Sequence, residues 1–210
     1  MKELKSNTEL VNFLVKQGDI KSPAVRAAFK ACDRAKFVPK SLKLQAYENY
    51  PLPIGLGQTI SQPGTVAFML ELLGVSRGMN ILEVGAGSGY VAALLAELVG
   101  SRGRVTALEI VPELAAYAKE SLKSLAYPQL TLLNLDGSQG YVPAAPYDRI
   151  LVSAAAPAIP QGYFDQLKER GKLVMPIGVS QQALIVAERV GTTFVKHIYP
   201  GYVFVPLVSK

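Results

Sequence analysis

Residues 80–90 read Asn80-Ile81-Leu82-Glu83-Val84-Gly85-Ala86-Gly87-Ser88-Gly89-Tyr90, an apolar run that stops at three alternating glycines and resumes at helical spacing. The stretch predicts a strand, a glycine turn and a helix. Glycine suits such a reversal because the turn needs backbone conformations that a Cβ penalises, and because a ligand must approach the main chain closely. A nucleotide-type site is the first expectation, with a glycine turn in a purely structural βα unit as the alternative.

The spacing narrows the ligand. The dinucleotide fingerprint G-x-G-x-x-G sets a pyrophosphate on the helix N-terminus, whereas here the third glycine comes one residue early. Glu83 lies two residues before Gly85, where a carboxylate repels phosphate and suits a cation. The next strand, Gly103 to Glu109, ends in a carboxylate twenty residues after Gly89, about where a ribose diol is held. A ligand with a ribose, a positive sulfonium and no phosphate fits these features, and S-adenosylmethionine is that ligand.

With 210 residues, half of them hydrophobic and 18% charged, the chain suffices for one well-filled α/β domain or a core with a small appendage. No apolar run approaches the roughly 18 to 20 residues of a membrane span. The N-terminus lacks a signal-peptide apolar region, so a cytoplasmic protein without a membrane partner is expected. The single cysteine, Cys32, excludes an internal disulfide. With the single histidine, His197, it leaves no Cys/His metal constellation, so no metal is expected and both residues read as structural. A net charge of +6 raises the question of nucleic acid. The basic residues are scattered, however, which favours a solvated surface and no nucleic-acid partner.

Taken in order, residues 4 to 17 suit a helix that Gly18 ends. Ser22-Pro23 gives a cap and a first-turn proline for a helix to about Cys32; the two helices form an N-terminal appendage. Phe37 to Gln62 is too rich in proline, glycine and tyrosine for a long helix, and a structureless loop of that length is usually functional. Pro63 opens a further helix with Ser61 or Gln62 available as cap. After the glycine turn come a helix to about Val99, the Glu109 strand, a helix from Pro112 to about Leu125 and a strand from Leu130 to Leu135 closing on Asp136-Gly137. A strand Asp148–Ser153 follows, then a helix from about Gln161 to Lys168, the segment Gly171–Pro176, and strands near Ala183–Glu188 and Phe194–Tyr199. The alternation predicts an α/β fold with a doubly wound, mostly parallel sheet, whose ligands bind at the carboxyl ends of the strands. Glu83, Glu109, Asp136 and Ser153 fall at such ends.

The run Pro53-Ile54-Gly55-Leu56-Gly57-Gln58-Thr59-Ile60-Ser61-Gln62-Pro63 resembles the signature loop of protein-L-isoaspartate (D-aspartate) O-methyltransferases. The likeness extends to Arg34–Pro39, Glu83–Tyr90, Asp136-Gly137, Pro146–Ile150, Gln166–Lys168, Pro176–Gly178 and Phe204–Leu207. It implies a Rossmann-like, S-adenosylmethionine-dependent methyltransferase fold with an N-terminal helical extension and a variant strand order near the C-terminus. It implies one domain over 1–210, with the extension and substrate loop in 1–75 and the cofactor core and C-terminal strands in 76–210. By the same likeness Ser61 is the active-site residue with Thr59 beside it, against the cap-only reading of Ser61. Glu83, Gly85, Ala86, Gly87, Ser88, Glu109, Ile110, Asp136 and Gly137 hold the cofactor. Ile54, Gly55, Gln58, Ile60, Val205, Pro206 and Leu207 are expected to bind substrate, because damaged sites share only backbone features and this loop and the tail can supply main-chain contacts.

The implied activity is methyl transfer to the free carboxylate of L-isoaspartyl and D-aspartyl residues in damaged proteins, by a monomer whose partners are isoaspartyl-containing peptides and proteins. One departure matters: the family commonly has aspartate where Tyr47-Glu48-Asn49-Tyr50-Pro51 has Asn49. If that aspartate positions substrate, turnover is altered, and a methyltransferase esterifying ordinary aspartates in modified peptides becomes the alternative. A nucleic-acid methyltransferase is a further rival, weakened because Ser153-Ala154-Ala155-Ala156-Pro157 lacks the aromatic that often precedes proline after the fourth strand of such enzymes. A binding module that lost turnover is the last, against which the intact Thr59-Ile60-Ser61 stands.

Overall fold

A computed structural model describes residues 3–209. Its elements run α1 (Asn7–Gln17), α2 (Pro23–Ala31), β1 (Leu52–Gly55), β2 (Gln58–Ile60), α3 (Pro63–Leu73), β3 (Asn80–Val84), α4 (Tyr90–Val99) and β4 (Arg104–Glu109). They continue with α5 (Pro112–Lys123), β5 (Leu130–Asn134), β6 (Tyr147–Val152), α6 (Gln161–Gln166), β7 (Leu167–Ile177), β8 (Ala183–Val190) and β9 (Thr193–Pro200).

Ile81 to Val84 are all buried, as a strand covered by helices on both faces must be. The central sheet has the order β5-β4-β3-β6-β7-β8-β9. The first five strands are parallel, and β7, β8 and β9 form an antiparallel meander. This is the doubly wound, mostly parallel α/β sheet expected, and the meander is its C-terminal variation. Winding reverses between β3 and β6, which leaves a crevice at their carboxyl ends where a ligand can lie.

The N-terminal helices stay outside the winding yet share its hydrophobic core with α4. Ser22 Oγ accepts from the Val25 N–H at 3.2 Å and Pro23 opens α2 as expected. Phe29 and Phe37 flank the Tyr90 ring, with centroids 6.1 and 5.3 Å away. The first residue after the glycine turn is thereby anchored to the extension.

Three local expectations are corrected. The segment 37–62 is not structureless throughout: β1 and β2 pair antiparallel, because Leu52, Ile54 and Ile60 point inward and Leu56 and Gly57 adopt the positive φ of a tight hairpin turn. The helix expected to reach Lys168 stops at Gln166. Leu167 is instead buried in extended backbone opposite Tyr147, and Lys168 pairs with Asp148 at 2.8 Å. Gln62 holds the N-cap position of α3, its carbonyl accepting from the Val66 N–H at 3.0 Å, but its side chain makes no capping bond; Asn49 Oδ1, fourteen residues before the helix, accepts from the Gly64 N–H at 2.8 Å.

Candidate functional site

The glycine turn is pinned before any ligand arrives. The N–H groups of Gly85 and Ala86 both donate to the Leu108 carbonyl, at 2.9 and 3.0 Å, which fixes the exit of β3 against the end of β4. Gly89 has φ +84°, and a Cβ there would meet Leu122 and Ala118 of α5 at 3.1 and 3.3 Å. Gly87, at φ +54°, has the Ile54 side chain of β1 3.3 Å from its would-be Cβ. The β1–β2 hairpin therefore rests on the glycine turn.

Glu109 at the end of β4 is buried. Its Oε2 accepts from the Gly87 N–H at 2.8 Å and its Oε1 from the Val111 N–H at 2.9 Å. Each carboxylate oxygen keeps a further lone-pair direction, which suits a vicinal diol. Glu83 lies under the turn, fully buried, and neither of its oxygens has a hydrogen-bond partner in the protein. Burial, and then the charge of Glu109, push its carboxyl up to about 8. A carboxyl buried without a donor is held in its neutral form at neutral pH, and a positive charge brought close to it would favour its anion.

A cavity opens above these groups at the carboxyl ends of the strands. Gly85 to Ser88, Glu109, Ile110 and Gly137 form its inner wall. Gln58 to Ser61 of the hairpin side and Val205 to Leu207 of the C-terminal tail form the outer one. The tail is held by Ala155, whose N–H donates to Val205 O at 2.8 Å and whose carbonyl accepts from Leu207 N–H at 2.7 Å. The Gln182 side chain also bonds both backbone groups of Phe204, at 2.7 and 3.1 Å. Glu83, Asp136, Ile54 and Gly55 are not on the wall. Glu83 is beneath it, Ile54 buttresses Gly87, Gly55 is exposed in the hairpin, and Asp136 Oδ1 accepts from Ser138 N–H at 2.8 Å beside the lining Gly137.

A second, outward cleft is lined by Pro51, Thr65, Tyr202 and Phe204 among others, and Thr59, Ser61, Ser153 and Val205 belong to both spaces. The two hydroxyl residues expected at the reacting centre thus lie where an inner and an outer compartment meet. Ser153 was legible only as a strand-end residue. Leu114 and Leu135, which also line the cavity, had no signal beyond being apolar.

None of the residues lining the inner cavity is Lys, Arg or His. One acidic side chain on the wall, Glu109, and a second beneath it, Glu83, with no basic side chain among the lining residues, fit a phosphate-free ligand with a positive centre, and S-adenosylmethionine is such a ligand.

Comparison with known proteins agrees. The family model described as Protein-L-isoaspartate(D-aspartate) O-methyltransferase matches residues 5–210. A Protein-L-isoaspartate O-methyltransferase of Ignicoccus hospitalis is 45% identical over 205 residues, covering 96% of this chain and 97% of the relative. Protein-L-isoaspartate O-methyltransferase 2 of Archaeoglobus fulgidus is 49% identical over 187 residues, covering 89% and 85%. A Plasmodium falciparum chain solved in complex with S-adenosyl-L-homocysteine superposes with a TM-score of 0.87 at 25% identity, covering 98% of this chain and 99% of that one. The chain belongs to the protein-L-isoaspartate(D-aspartate) O-methyltransferase family.

Proposed function

We propose that the chain transfers a methyl group from S-adenosylmethionine to the free carboxylate of L-isoaspartyl and D-aspartyl residues in damaged proteins, the activity of its family, and so starts their repair. The observation that carries the residue-level reading is the junction of the two compartments at Thr59, Ser61 and Ser153.

The nucleophile needs no base. An α-carboxylate of reference pKa about 3 to 4 is ionised at neutral pH. When bound, S-adenosylmethionine supplies a methyl group on an electrophilic sulfonium. The protein's work is placement and exclusion of water. Ser61 and Thr59 hydroxyls orient the carboxylate through one or two hydrogen bonds, few enough to leave an oxygen lone pair reactive. Glu109 would accept from the ribose hydroxyls and Asp136 from the adenine amino group, and Glu83 would favour the positive end of the cofactor. Gly85 to Ser88, Ile110 and Gly137 shape the adenosyl pocket. An extended peptide enters through the outer cleft past Thr59, Ser61 and Val205 and meets main-chain groups of Gln58, Ile60, Pro206 and Leu207 on the cavity wall, with Ile54 and Gly55 shaping the hairpin behind them, since damaged sites share only backbone features.

We infer that the protein acts as a cytoplasmic monomer, folded as one unit over the described residues 3–209 of the expected domain 1–210, with no nucleic-acid partner. A cavity wall without basic residues and the absence of an aromatic before Pro157 support peptide over nucleic acid. Among the described residues no helix is long and apolar enough to cross a membrane.

The test is labelled S-adenosylmethionine with three targets: an isoaspartyl peptide, its aspartyl twin and bulk RNA. Base-labile label on the first alone is expected. Label on the aspartyl twin would transfer the assignment to the sister specificity, and stable label on RNA would refute it.

A further inference from the structure

Arg34 differs from the other basic side chains. It is fully buried, and among the described residues no carboxylate pairs with it. Its Nη1 donates to the Ala46 carbonyl at 2.7 Å. Its Nη2 reaches the carbonyls of Tyr50, Ile60 and Ser61 at 3.3, 3.5 and 3.1 Å. Nε has no partner in the protein.

A buried cation facing only neutral carbonyls is costly, and an apolar side chain of similar volume is often neutral or better for stability. Burial pulls its pKa down to about 10, so it remains charged at neutral pH. What a guanidinium adds is a rigid planar fork of donors. Here the fork joins two segments that are separate in sequence, 46–50 before the hairpin and 60–61 at its end. The carbonyl it grips at 3.1 Å belongs to Ser61, at the junction of the two compartments.

We propose that Arg34 is a positioning residue for methyl transfer, acting through Ser61: its fork fixes the backbone that carries the Ser61 hydroxyl relative to the cofactor cavity. The inference rests on the role of Ser61 given above. A displacement of about 1 Å in a reacting geometry is enough to cost roughly a hundredfold in rate.

Arg34→Lys keeps the charge and most of the stem but loses the planar fork, while Arg34→Met loses both. With isoaspartyl peptide, kcat is expected to fall about tenfold in the first and about a hundredfold in the second. KM and the Kd for S-adenosylhomocysteine are expected to stay within about threefold, because the glycine turn is untouched. In a Ser61→Ala background Arg34→Lys should change kcat by less than about twofold, since the group being positioned is gone; independent effects would multiply.

Equal loss in both backgrounds, an unimpaired Arg34→Lys enzyme, or a parallel loss of cofactor binding overturns the proposal. Failure of Arg34→Lys to fold also overturns it, in favour of a purely structural arginine; if only Arg34→Met fails to fold, Arg34→Lys decides. Wild-type protein inactive on isoaspartyl peptide would instead overturn the functional reading and this inference together.

Discussion

Replacing Glu83 by Gln should stabilise the ligand-free protein at alkaline pH and leave it nearly unchanged at acid pH. The carboxyl stands fully buried without a donor, at about 8 rather than its ordinary 4.5. Each unit between folded and unfolded pKa is worth about 1.36 kcal/mol, so the buried anion penalises the native state by several kcal/mol. Between about 4.5 and 8 the folded chain holds the Glu83 proton and the unfolded chain has lost it. Stability from this group therefore falls as pH rises through that window and levels off outside it. The Gln side chain also lacks partners, at about 1 to 3 kcal/mol, but does not titrate. For a chain of this length 1 kcal/mol corresponds to about 2–4 °C. Going from pH 5 to pH 8, the wild-type melting temperature should fall on the order of 10 °C relative to Glu83→Gln. A cation bound above Glu83 stabilises its anion, so S-adenosylmethionine binding at pH 7 should release close to one proton in the wild type and none in the variant. Calorimetry in buffers of different ionisation enthalpy reads that proton. Parallel melting curves, or equal proton release by both proteins, refute the coupling.

Ser61→Ala should lower methyl transfer about a hundredfold with S-adenosylhomocysteine affinity within threefold, by loss of an orienting hydroxyl. Glu109→Gln should do the reverse, weakening cofactor binding by about 1.5–3 kcal/mol, roughly ten- to 150-fold, because a charge-assisted bond is lost; paired calorimetry and transfer assays separate the two. Asn49→Asp keeps an oxygen for the Gly64 N–H and should leave the preference for isoaspartyl over aspartyl peptide within threefold, so a tenfold change would show that position 49 reads substrate. Product-inhibition kinetics should show the cofactor binding first, because a cavity with Glu109 and no basic wall residue repels a peptide carboxylate until the sulfonium is present; random order would contradict this.

The elements read best from the sequence are those whose causes are local. Gly87 and Gly89 mark the turn because their backbone angles exclude other residues cheaply, and Glu109 is visible because it ends an apolar strand. The hairpin over 52–60 was hidden by Pro51 and Pro53, although Leu52, Ile54 and Ile60 carried its alternation. The end of α6 was misread because helical spacing through Lys168 loses to a tertiary fact, the burial of Leu167 beside Tyr147. Asn49 as the cap of α3 and Arg34 as the clamp on Ser61 both act across long loops. Only the fold brings such partners together, and from spacing alone Arg34 looks like one more surface cation.

The charges in this site are arranged in depth. Among the described residues Arg34 is the one buried cationic side chain, yet it is set behind the Ser61 backbone rather than on the cavity wall. A guanidinium in direct contact would bind the substrate carboxylate tightly through two charge-assisted bonds. Those bonds would occupy the lone pairs that must attack and would weaken as the carboxylate becomes a neutral ester. Binding strongest in the ground state raises the barrier instead of lowering it. On the roles proposed for Ser61, Thr59 and Arg34, hydroxyls in front would orient without neutralising and a cation one layer back would hold them still, which avoids that cost. Glu83 and Glu109 lie at the glycine turn, and among the described residues no Lys, Arg or His lines the cavity or the outer cleft, so under the proposed function the positive centre that would face the nucleophile is the one carrying the methyl group.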